Sequence, residues 1–89
     1  MLSQQLTLIN KLGLHARAAM QLSELALRFA SNITLTYNSN TIDAKNILEV
    51  MVLGATCGQT ITVKAEGDDE QAAIDSISAL VNARFNEPE

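Results

Sequence analysis

The spacing of apolar positions changes several times along the chain, and each change marks an element. Leu6-Thr7-Leu8-Ile9 is short, β-branched and partly alternating, which predicts a strand over about 4–9. Asn10-Lys11-Leu12-Gly13-Leu14 follows as a loop, with Gly13 supplying backbone freedom. Leu22, Leu25, Ala26 and Phe29 recur at i, i+3, i+4 and i+7, the apolar stripe of a helix over about 16–29. Ile33-Thr34-Leu35-Thr36-Tyr37 alternates strictly and reads as a strand with one buried face. Asn38-Ser39-Asn40 has turn chemistry, and Thr41-Ile42-Asp43-Ala44 alternates again, so the two runs predict a hairpin.

Asn46 and Glu49 are spaced as a capping box, opening a short helix over 47–53 that ends near Gly54. The capping reading has Asn46 accepting a first-turn N–H and Glu49 reaching back to Asn46. Thr60 to Ala65 alternates, with Ile61, Val63 and Ala65 on one face. Asp68, Asp69 and Glu70 then put negative charge where a helix start attracts it, and Asp68 with Gln71 forms another candidate box. Ala73, Ile74, Ile77, Leu80, Val81 and Phe85 trace the inner face of a helix over about 70–84. The order is β-α-β-β-α-β-α, an α+β fold. Helices on one face of a four-stranded sheet bury the stripes and leave the threonines on the open face.

Composition narrows the setting. Eighty-nine residues support one core and a single domain, 1–89. Hydrophobic residues are 47% and charged residues 18%, a globular balance. No apolar run approaches the ~18 residues of a membrane helix, and the first residues lack a signal-peptide pattern. With Cys57 as the only cysteine, neither a disulfide framework nor a multi-cysteine metal site is predicted. The expected location is cytoplasmic. A net charge of −4 with three aromatics argues against nucleic acid as a partner.

One residue carries strong chemistry. His15 is the only histidine, and it stands between the first strand and the first helix. No Ser, Thr, Asp or Asn occupies the cap position, so the helix starts at the histidine itself. A helix start has unpaired N–H groups and a positive dipole end. It favours the neutral, nucleophilic imidazole and a bound anion. Arg17 adds a fixed positive charge with planar donors suited to phosphate oxygens. Taken alone, the same histidine also reads as a surface cap. A zinc site lacks ligands, and a Ser-His-Asp hydrolase lacks its nucleophile elbow.

Asn10-Lys11-Leu12-Gly13-Leu14-His15-Ala16-Arg17 resembles the active-site motif of the HPr phosphocarriers of the bacterial phosphoenolpyruvate-dependent phosphotransferase system. Asp43 to Gly54 is similar to that family's second signature, and the likeness extends over about residues 4–85. The resemblance implies an antiparallel sheet in the order 1-4-2-3 with the helices on one side. It implies that His15 takes a phosphoryl group on Nδ1 from phosphorylated Enzyme I and passes it to a IIA-type acceptor. Arg17 would be the phosphate partner, with the backbone N–H groups of Ala16 and Arg17 as anion donors. The docking patch would comprise Ala16, Ala19, Met20, Ile47, Leu48 and Met51, with Val50 and Leu53 in the core. No cofactor or metal is implied. The chain is expected to be a monomer that carries a covalent phosphohistidine without being an independent enzyme.

Two positions depart from the family pattern. Ala18 stands where many members have proline, and Asn46 where members controlled by a kinase carry serine. Asparagine has no hydroxyl to phosphorylate. Both a sugar-transport and a nitrogen-related branch fit. From other classes, a non-catalytic interaction module on the same fold and a small-molecule-sensing domain compete. His15 counts against the first, and the lack of a Gly-rich phosphate loop against the second. The carrier reading requires a bare, uncharged imidazole, its reacting nitrogen not tied to a carboxylate.

Overall fold

In the computed structural model, which describes residues 1–88, the chain forms strand β1 (Leu2–Thr7), helix α1 (Ala16–Ala26), strands β2 (Asn32–Tyr37) and β3 (Asn40–Asp43), helix α2 (Ile47–Leu53), strand β4 (Thr60–Glu66) and helix α3 (Glu70–Asn82). A short turn of helix over Arg84–Asn86 follows. The sheet is antiparallel in the order β1-β4-β2-β3, as expected.

Register makes one face of the sheet mainly apolar and the other polar. Leu6 faces Ile61, Leu35 faces Val63, and Ile33 faces Ala65, all six buried under the helices. The alternate positions hold Thr7, Thr34, Thr36, Thr41, Thr60 and Thr62. Pairs across the strands join hydroxyls there, Thr7 with Thr60 at 3.3 Å and Thr36 with Thr41 at 2.8 Å. The β2–β3 hairpin turns through Asn38 and Ser39, both at positive φ (53° and 69°). That handedness matches the twist of the flanking strands.

Several boundaries differ from the periodic reading, each for a local reason. β1 starts two residues earlier than expected, because Leu2 pairs with Ala65 of β4. It ends at Thr7, where the ladder turns irregular: Leu8 N–H donates to Gln59 O and Gly58 N–H to Leu8 O. α1 stops at Ala26 instead of 29. The N–H groups of Arg28 and Phe29 reach back only three residues, to Leu25 and Ala26, tightening the last turn. Phe29 still packs against the core from the turn.

The caps were half foreseen. Asn46 Oδ1 accepts from the N–H groups of Leu48 (3.1 Å) and Glu49 (3.2 Å), and Gly54 ends α2 at φ 76°. Glu49 does not reach back to Asn46; its carboxylate takes the N–H of Asp43. The box expected at Asp68 does not form. Asp69 is the residue at the start of α3, and its carboxylate accepts from Ala30 N–H, Ser31 N–H and the Ser31 hydroxyl. Those bonds, led by the Ser31 hydroxyl, hold the Asp69 carboxyl below the usual range, against partial desolvation. The tie fixes the start of α3 to the turn that follows α1.

Candidate functional site

The loop before α1 is set by a close approach. A side chain on Gly13 (φ 62°) would lie 2.7 Å from Ala55 O and Thr56 Cα, so only glycine fits. Leu14 N–H donates to Ala55 O at 3.0 Å, and the Leu14 side chain is buried. His15 is thereby delivered, in extended backbone, to the cap position of α1. Its carbonyl accepts the first helical bond, from Ala19 N–H at 2.8 Å. No side chain caps this helix, and no acidic residue occupies its first turn. The N–H groups at the start of α1 therefore keep their positive end open beside the imidazole. Arg17 stands exposed one residue further on.

The ring has one partner that the sequence did not reveal. Nε2 of His15 contacts Oε2 of Glu87, 72 residues away. The expectation of a wholly bare imidazole is corrected on this point. Among the described residues, no hydrogen bond reaches Nδ1. The other Glu87 oxygen accepts from Asn10 Nδ2 at 3.1 Å, and that amide also donates to Gly13 O at 2.8 Å. Asn10 is fully buried, so it fixes both the loop and the carboxylate. Burial pushes the Glu87 carboxyl up, but the bonds from Asn10 and His15, the attraction of His15 when it is protonated and the charge of Arg17 outweigh it. The net direction is down.

Glu87 arrives there by a reversal of handedness. α3, expected to run to 84, ends at Asn82, and Arg84, Phe85 and Asn86 all have positive φ (56°, 53° and 62°). Such backbone costs about 1–2 kcal/mol per non-glycine residue. The Phe85 ring, 1% exposed, offsets part of that cost by filling the core. Lys11, Leu12, His15, Arg17, Glu87 and Pro88 line an open cleft of ≈ 620 Å³, ample for a phosphoryl group and a partner's side chain.

The residues expected to form a docking patch divide. Met20 (45% exposed), Leu48 (69%) and Met51 (42%) lie at the surface, Ala16 is exposed, and Ile47 is half-buried. Ala19 is corrected: with no exposed surface it belongs to the core, because its side chain lies on the inner face of α1 beside Leu22. Val50 and Leu53 are buried as expected. Among the exposed apolar residues that were not predicted, Leu12 lies in the cleft and Val52 on α2. A seven-residue helix that buries only Val50 and Leu53 leaves most of an apolar sequence in water.

Known proteins resemble this chain in both sequence and fold. The family model described as "PTS HPr component phosphorylation site" matches residues 2–83. The phosphocarrier protein HPr of Cupriavidus necator is 47% identical over 89 residues, covering 100% of each chain. The phosphocarrier protein NPr of Shewanella violacea is 44% identical over 86 residues, covering 97% of this chain and 94% of that one. A crystal structure of HPr-C-His from Thermoanaerobacter tengcongensis superposes with a TM-score of 0.96 at 35% identity, covering 100% of both chains.

Proposed function

The chain belongs to the HPr family of the phosphotransferase system, and from that premise we propose that His15 is its phosphoryl-carrying residue. The single observation that carries this reading is the uncapped start of α1, with an imidazole in the cap position and Arg17 beside it. The donor is phosphorylated Enzyme I and the acceptor a IIA-type protein. The lone pair of Nδ1 attacks phosphorus, the N–P bond forms, and the bond to the donor breaks with its electron pair returning to the donor. Open N–H groups at Ala16 and Arg17, with the Arg17 guanidinium, offset charge on the phosphoryl oxygens. The carrier supplies position and charge, and the rest of the transfer machinery belongs to its partners.

Docking uses the exposed face of Ala16, Met20, Ile47, Leu48 and Met51. An adaptable aliphatic and methionine surface suits one site that must accept more than one partner in turn. The module acts as a cytoplasmic monomer, and no helix among the described residues is long and apolar enough to cross a membrane. The relatives include both HPr and NPr, so the two acceptor branches are separated by offering each class of IIA protein. Incubation with phosphoenolpyruvate and Enzyme I should add one acid-labile, base-stable phosphate. His15→Ala should abolish it, and Arg17→Ala should slow uptake about ten-fold with the fold intact. Acid-labile phosphate on His15→Ala would overturn the assignment. Partner binding without any phosphate on the unaltered chain would instead favour a non-catalytic interaction module.

A further inference from the structure

We infer that Glu87 is a positioning residue for phosphoryl transfer: its carboxylate, held by buried Asn10, fixes the hydrogen of the His15 ring on Nε2 and leaves Nδ1 as the nucleophile. This deepens the phosphocarrier reading and rests on it. An ionised carboxylate only accepts hydrogen bonds, and a neutral imidazole has one N–H. Contact between Glu87 Oε2 and His15 Nε2 therefore places the N–H at Nε2. The lone pair is left on Nδ1, the nitrogen that no described group engages.

The carboxylate is itself built into place. Its second oxygen takes the Asn10 amide, and Asn10 has no exposed surface. The left-handed turn at Arg84–Asn86 and the buried Phe85 ring bring residue 87 back over the start of α1. A surface carboxylate that met the ring by chance would need none of these supports. Orientation of a histidine by a carboxylate on its far nitrogen is the logic by which nucleophilic sites fix a tautomer.

The pair also acts during transfer. When the N–P bond forms at Nδ1, the ring carries a substituent on one nitrogen and a hydrogen on the other, so it gains a positive charge. Glu87 faces that charge across Nε2–H, and the proton stays on Nε2. When the phosphoryl group leaves for the acceptor, the electron pair returns to Nδ1 and the ring is neutral again. An opposing effect exists, because the carboxylate also repels an incoming phosphoryl anion. Lys11 and Arg17 line the same cleft and reduce that repulsion. The two effects change the rate in opposite directions, which makes the sign of a mutation decisive.

The test compares the full chain with Glu87→Ala and Glu87→Gln, both of which keep Phe85. The ring-nitrogen ¹⁵N signals of the unphosphorylated proteins are recorded at about pH 9, above the ordinary imidazole range. The unaltered chain should show hydrogen on Nε2 alone, and Glu87→Ala should show a mixture of tautomers. In transfer from phosphorylated Enzyme I, both variants should lose about ten-fold in kcat with KM within about two-fold, the scale of one charge-assisted hydrogen bond. Unchanged ¹⁵N signals, or faster transfer by Glu87→Ala, would overturn the inference. Failure of the phosphocarrier reading is separate: the unaltered chain would take no acid-labile phosphate, while the ¹⁵N comparison would still report on the pair.

Discussion

The starts of α1 and α2 present the same backbone problem and solve it in opposite ways. At α2, Asn46 spends its side-chain oxygen on two N–H groups of the first turn. At α1, the residue in the same position is a histidine that caps nothing. One helix start is satisfied from within, and the other is left open. A cap contributes about 0.5–2 kcal/mol, so the open start at α1 costs stability that a binding site can use. α3 shows a third solution: its cap-position aspartate is committed to Ala30 and Ser31.

That contrast can be broken most sharply by giving α1 the residue that α2 has. His15→Asn should abolish phosphate uptake while raising unfolding stability by about 1 kcal/mol, read by phosphorylation assay and urea denaturation. Loss of uptake together with loss of stability would mean that the histidine supports the helix after all. Met51→Glu, on the exposed side of α2, should weaken Enzyme I binding about ten-fold in titration calorimetry and shift stability by no more than about 0.5 kcal/mol.

Asn46→Ala should produce the reverse pattern, losing about 1 kcal/mol of stability with phosphate uptake unchanged. The smallest effect is expected from acid at Asp69. Its carboxyl lies lower in the folded chain than in the unfolded one, so its tether is intact above the ordinary aspartate range. The contribution is lost as pH falls through the lowered value. Faster amide exchange at Ala30 and Ser31 on acidification, absent in Asp69→Asn, would show it.

Which features the sequence disclosed depended on how local their causes were. Alternation at Thr60 to Ala65 and the stripe through Ile74, Ile77 and Val81 follow from neighbours a few residues apart, and both elements formed, α3 ending two residues short of the expected 84. The missing cap at His15 was legible for the same reason. Ala19 was misplaced because it was carried over from the docking patch that the family resemblance implies, although it stands three residues before Leu22 on the stripe that faces the core. Glu87 and Asn10 were invisible as site residues. Their encounter depends on a left-handed turn with no glycine to announce it and on a separation of 77 residues. The one clue was an acidic residue two positions after an aromatic that continued the inner stripe of α3.

The corkscrew reversal after α3 turns that helix into a gauge. Phe85 is seated in the core and Glu87 lies two residues beyond it, so the span from β4 to Phe85 has a fixed length. One inserted residue would rotate everything downstream by about 100° and advance it by about 1.5 Å. The chain would then have to unseat its aromatic anchor or swing its acid away from the ring. Elsewhere the outline can tolerate added residues in surface turns, but the length of this last helix decides whether Phe85 and Glu87 can both be seated.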